Sequence, residues 1–111
     1  MANHFYAYIS RMRCVKRWAL MRNTEEENIQ EHSHMVAVLA HALALIRTRV
    51  FGLPADANAV AVAALYHDAT EILTGDMPTP IKYYNPEIRD AYRKVEAVAS
   101  DKLLSMLPDE L

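Results

Sequence analysis

The sequence predicts an all-α fold, a single-domain bundle of about four to five helices spanning residues 1–111. Three observations carry that prediction. Apolar residues recur at three- and four-residue intervals over long stretches, capping residues open those stretches, and only two glycines occur in the chain. No alternating apolar–polar run, internal repeat or low-complexity tract competes with it. With 52% apolar residues, the chain is long enough for one core and too apolar for disorder. A net charge of −2 does not favour a surface for duplex nucleic acid. Cys14 is the sole cysteine, which excludes an intramolecular disulfide and is compatible with a reducing compartment. Charges interrupt each apolar run before membrane-spanning length, and no signal-like segment opens the chain. A cytoplasmic protein with no membrane partner is therefore expected.

The first helix is expected from Phe5 to Val15, with Phe5, Tyr8, Ile9, Met12 and Val15 on one face. Lys16, Arg17 and Trp18 follow, then a polar loop from Arg22 to Glu27. A tryptophan at a helix end is ordinarily a core plug, and an arginine beside it ordinarily an exposed ion pair. The two together can also offer a planar fork to a phosphate or carboxylate.

Asn28 has the character of an N-cap, and Glu31 falls three residues later, as in a capping box. The helix it opens runs to about Phe51. Its expected buried stripe is His32, Met35, Val36, Leu39, Leu43 and Ile46. His34 is turned about 200° from His32, so these two cannot serve one site. His34 and His41 share another face, and hydrogen-bonded structural histidines are the simpler reading of both. Gly52, Leu53 and Pro54 end this helix, and Asp56 caps the next. Residues Ala57 to Leu65 are rich in alanine and valine, whose small faces let helices approach closely.

The chain is organised around the stretch Leu65-Tyr66-His67-Asp68-Ala69-Thr70-Glu71. Here His67 and Asp68 stand side by side, with Glu71 three residues after the aspartate. If the helix continues at about 100° per residue, Glu71 lies roughly 40° from His67 and Asp68 roughly 100°, on one face. Polar residues turning to solvent at a helix end are the simplest account. A buried cluster of this kind instead requires a cation or a network of partners. Gly75 is placed to terminate the helix, and Asp76-Met77-Pro78-Thr79-Pro80 reads as a stiff loop. Asn85 and Pro86 then open a last helix with the stripe Ile88, Tyr92, Val95, Ala99, Leu103 and Met106. Leu107 to Leu111 read as the opening of a further helix, so the chain is expected to be truncated at its C-terminus.

A histidine in the first turn of one helix, His32, and a His-Asp pair late in another form the pattern of a divalent metal site. Imidazole and carboxylate suit Zn, Mn, Fe, Co or Ni, with no thiolate to select zinc.

The order His…His-Asp resembles the HD-domain phosphohydrolase superfamily. The strings Arg17-Trp18-Ala19-Leu20-Met21-Arg22-Asn23, Glu31-His32-Ser33, Tyr66-His67-Asp68-Ala69-Thr70-Glu71 and Thr74-Gly75-Asp76-Met77-Pro78-Thr79-Pro80-Ile81-Lys82-Tyr83 look like successive signatures of the bacterial 5′-deoxynucleotidases of that type. The last string is the most specific, and the resemblance covers essentially the whole chain. It implies an HD-domain helical bundle, typically a homodimer, that hydrolyses deoxyribonucleoside 5′-monophosphates to deoxynucleoside and phosphate through a metal-activated water. It matches His32, His67 and Asp68 to metal ligands and Glu71 to the acid beside the metal's water. Arg17 and Trp18 match positions that hold phosphate and deoxyribose, and Asp76, Met77, Pro78 and Thr79 match the substrate-contacting turn. The cofactor implied is a divalent cation such as Co, Mn or Zn.

One departure accompanies the resemblance. The family completes its metal site with an aspartate on a later helix, well beyond Leu111, and Asp90 and Asp101 lie on a helix not used for this. Elements beyond Leu111 would also cover part of the core, so an exposed apolar surface is expected. Two other readings stay open. One is a non-catalytic nucleotide-binding or interaction module. The other is a different HD activity, such as cyclic-nucleotide or alarmone hydrolysis, against which the Asp76-to-Tyr83 string argues.

Overall fold

Asparagine and aspartate caps decide where the long helices begin. In the computed structural model, which describes residues 3–17, 26–76, 82 and 84–111, the elements are α1 (Phe5–Ile9), a 3-10 helix (Ser10–Cys14), α2 (Ile29–Arg49), α3 (Ala57–Tyr66), α4 (Glu71–Thr74) and α5 (Pro86–Leu104). Asn28 Oδ1 accepts from Glu31 N at 2.8 Å, Asp56 Oδ1 from Ala59 N at 3.0 Å, and Asn85 Oδ1 from Ile88 N at 2.8 Å. Each satisfies an amide that the first helical turn leaves without a partner. Glu31 returns the interaction to the Asn28 side-chain amide, at 3.0 Å. Pro86 occupies the first position of α5, where its missing N–H costs nothing. The fold is all-α, as expected. The described residues contain no strand, only an isolated antiparallel bridge between Lys16 and Asn28.

Two of the expected helices are broken. Phe5 to Val15 is not one α-helix: the chain tightens into 3-10 geometry at Ser10, whose hydroxyl donates to Ala7 O at 2.6 Å, and leaves extended at Val15. Likewise α3 stops at Tyr66. From there Ala69 N, Glu71 N, Ile72 N and Leu73 N each donate to the carbonyl three residues back, at 3.0–3.2 Å. Winding of about three residues per turn sets residues i and i+3 in line, so Glu71 falls beneath Asp68 instead of about 60° away from it.

The principal helix pair is α2 against α3. It buries Ser33, Ala37 and Ala44 of α2 and Ala64 of α3, so small side chains set the close approach. The expected apolar stripe of α2 is not the buried one. Met35 is 52% exposed, Leu39 55% and Leu43 65%. Small residues mesh against α3, while the larger stripe faces outward. On α5 the inward residues are Tyr92, Ala99 and Leu103, with Met106 just past the helix; Ile88 and Val95 share that stripe but remain exposed.

A second cluster joins the two ends of the chain. Phe5, Ala69, Leu103 and Met106 are buried together, with Tyr8, Ile9, Leu73 and Leu107 packed around them. Ala69 therefore points inward from the middle of the 67–70 turn, which directs its neighbours away from that core. No helix among the described residues is long and apolar enough to cross a membrane.

Candidate functional site

His32 owes its place to the start of α2. Ile29 is completely buried and anchors that start, the Asn28 cap fixes its first turn, and His32 N donates to Asn28 O at 3.1 Å. His67 and Asp68 come from the tightened turn after α3. The two elements bring three donors together: the candidate ligand atoms of His32, His67 and Asp68 lie within 4.8 Å of one another. Asp68 Oδ2 is 3.0 Å from His67 Nε2 and 3.6 Å from His32 Nε2, and the imidazole centroids are 5.4 Å apart. His67 Nδ1 lies 2.6 Å from Ala64 O. With its proton donated to that carbonyl, His67 presents the Nε2 lone pair toward the cluster, the arrangement that orients a metal-binding imidazole.

The electrostatics favour a neutral His32. Its pKa is lowered, first by burial and then by the Arg17 guanidinium; Asp68 and Glu27 pull in the opposite direction. A neutral imidazole is the form that binds metal. Glu71 is buried, and its Oε2 has no hydrogen-bond partner among the described residues. Its pKa is pushed up to about 7, by burial first and then by the Asp68 and Asp76 carboxylates, while Lys82 and Arg17 act against the rise. Two imidazoles and a carboxylate within bridging distance, beside an orphaned carboxyl oxygen, fit one divalent cation.

Arg17 sits beside this cluster, pinned to the residues that lead into α2. Arg17 N donates to Glu27 O at 2.7 Å, and Arg17 Nη1 to Glu27 Oε2 at 2.6 Å. Asp76 follows Gly75, partly buried, where its charge reaches Glu71. Trp18, Met77, Pro78 and Thr79 lie outside the described residues. His34 and His41 flank a shallow hollow of about 360 Å³ with Ala37, Val38 and Ala61, on a different side of α2 from His32.

Two residues to which the sequence assigns no role belong to these surroundings. Lys82 lies 3.7 Å from Glu96 and 4.7 Å above the Tyr92 ring, and its charge reaches Glu71. Glu27 is the partner of Arg17. A signal for it exists in the sequence, because the basic pair Lys16-Arg17 is followed ten residues later by the acidic pair Glu26-Glu27. An antiparallel return is needed to turn that pattern into two contacts.

Comparison with known proteins agrees with this geometry. The family model described as 5′-deoxynucleotidase YfbR-like matches residues 4–111. A 5′-deoxynucleotidase of Vibrio vulnificus (strain YJ016) is 57% identical over 108 residues, covering 97% of this chain and 56% of the relative. One from Photorhabdus laumondii is 53% identical over 109 residues, covering 98% of this chain and 55% of the relative. The chain thus spans about half the length of the curated relatives it matches. Among solved structures, an HD-domain phosphohydrolase from Listeria innocua superposes with a TM-score of 0.84 at 26% identity, over 99% of this chain and 53% of that one. The cyanophage S-2L HD phosphohydrolase DatZ, bound to dA and one catalytic Zn2+ ion, gives 0.67 at 29% identity, over 94% and 59%.

Proposed function

The chain belongs to the YfbR-like 5′-deoxynucleotidase family, and from that premise we propose that it supplies the metal- and phosphate-binding part of a nucleotidase acting on deoxyribonucleoside 5′-monophosphates. The observation that carries this reading is the convergence of His32, His67 and Asp68 to within 4.8 Å of one another. A relative in fold that holds both dA and a catalytic Zn2+ ion supports it further.

In this reading His32 Nε2, His67 Nε2 and an Asp68 oxygen hold a divalent cation of the Zn, Mn or Co kind. When bound there, such a cation supplies Lewis acidity and a nucleophile near neutral pH. Arg17 binds phosphate oxygens with a guanidinium that keeps its charge at every working pH. The reaction breaks the bond between phosphorus and O5′, water supplies the new phosphate oxygen, and a proton must reach O5′. Glu71, the buried acid three residues after Asp68, is the group assigned to that transfer. Trp18 and the Asp76–Thr79 turn are assigned to the sugar on the strength of the resemblance, as is the homodimer.

The test is phosphate release from deoxynucleoside, ribonucleoside and cyclic nucleotides, with and without chelation and metal return. The expected result is metal-dependent release from the deoxynucleoside 5′-monophosphates. Asp68→Asn is expected to lower metal affinity at least ~10-fold, since even outer partners of ligands are worth that much. Nucleotide binding with no release under any metal would favour a non-catalytic module. Metal affinity indifferent to Asp68→Asn would remove the proposed centre.

A further inference from the structure

We propose that Glu27 is a positioning residue for phosphate recognition: its carboxylate and main-chain carbonyl together hold the Arg17 guanidinium beside the His32–His67–Asp68 cluster. The proposal rests on the reading of Arg17 as the phosphate-binding cation.

Three hydrogen bonds argue for it. Ile29 N donates to Val15 O at 2.9 Å and Arg17 N to Glu27 O at 2.7 Å, on either side of the Lys16–Asn28 bridge. Segment 15–17 is thereby clipped antiparallel to segment 27–29, which runs directly into the first turn of α2 and so into His32. Arg17 Nη1 then donates to Glu27 Oε2 at 2.6 Å, a short, charge-assisted bond. Backbone and side chain are fixed to the same residue, so the guanidinium is registered against the helix that carries His32. The charges of both partners are felt at the His32 imidazole.

An ordinary surface ion pair contributes little, and the neighbouring pair shows what one looks like. Lys16 Nζ and Glu26 Oε1 are 3.2 Å apart, with side chains 65% and 80% exposed. Arg17 and Glu27 are closer and more enclosed, at 22% and 36%. A long arginine side chain loses rotamer entropy when it is fixed, and a partner that has already ordered it lets phosphate bind without that loss.

The role makes a prediction opposite to simple charge counting. Removing a carboxylate from beside an anion site should tighten anion binding if the carboxylate merely repels. If it positions Arg17, Glu27→Ala weakens binding of inorganic phosphate to the metal-loaded protein, and raises KM for a deoxynucleoside 5′-monophosphate, by about ten-fold. Binding of the uncharged deoxynucleoside product stays unchanged, as does everything in the Glu26→Gln control. In an Arg17→Ala background the Glu27 change has no further effect, because its target is gone. Phosphate binding that is unchanged or tighter in Glu27→Ala overturns the proposal. So does an equal loss for phosphate and deoxynucleoside, which would mark a general loosening of the fold. If Arg17→Ala itself leaves phosphate affinity intact, the assignment of Arg17 fails and this proposal with it, a result distinct from failure at Glu27 alone.

Discussion

Glu71 concentrates the electrostatic tension of the site in one carboxyl group. Its folded pKa of about 7 stands above the ordinary 4.5, first because it is buried and then because Asp68 and Asp76 lie near. An unfolded chain releases that proton near 4.5, so between the two values the folded state binds more protons than the unfolded state. Stability of the metal-free protein therefore falls as pH rises from about 4.5 to about 7 and levels off above. Glu71→Gln removes the ionisation and is expected to flatten that slope, measured by denaturant unfolding at about pH 5 and about pH 7.5. The same slope in both proteins would show that Glu71 ionises as it does in water. The identity of this acid is legible in the sequence, but its altered chemistry is not. Burial of Glu71 depends on the 3-10 helix and α5, which pack against α4 from many residues away in sequence.

At the scale of elements, the turn between α3 and α4 decides the geometry of the centre. Its 3-10 winding puts Asp68 and Glu71 in register, and Gly75 closes it. Gly75 N donates to Glu71 O at 2.7 Å, and the residue sits at φ +74° and ψ 167°, a positive-φ extended conformation that essentially only glycine adopts without strain. A Cβ added there meets nothing within 4 Å. The whole penalty of Gly75→Ala is thus backbone strain, expected to be about 1–3 kcal/mol in a denaturant titration. A neutral Gly75→Ala would mean that the chain leaves α4 by another route. A glycine that ends a helix is visible in sequence as punctuation. The change from α to 3-10 winding is not, because no residue from His67 to Thr70 forbids the α-helix. Packing of Ala69 into the core selects the tighter turn.

At the scale of the molecule, two cores do different work. The small-residue seam between α2 and α3 sets the helix pair, while Phe5, Ala69, Leu103 and Met106 tie α1 and the end of α5 to the back of the turn that carries His67 and Asp68. Leu103 is 3% exposed and belongs to the second core. Leu103→Ala is expected to cost about 2–5 kcal/mol of stability. Because Ala69 shares that cluster, it is also expected to weaken metal binding, read by titration well below the new melting point. Lost stability with undiminished metal affinity would show that the turn holds its shape without α5. The radius of gyration, 16.1 Å, exceeds the roughly 13 Å of a compact chain of this length. The excess agrees with the outward-facing Met35, Leu39 and Leu43 of α2.

Helix starts, the all-α class and the identity of the cluster residues are local properties, written in caps, periodicity and motif. Asn28, Asp56 and Asn85 cap because an amide three residues on lies within reach of their own side chains. Which face of α2 is buried is a different kind of question. The sequence offers the large stripe of Met35, Leu39 and Leu43 and the small one of Ser33, Ala37 and Ala44, and only the approach of α3 chooses the small one. The distance between His32 and His67, the tautomer that Ala64 imposes on His67, and the grip of Glu27 on Arg17 belong to the same class. Each depends on residues brought together by tertiary packing, and a pattern along one chain has no term for that.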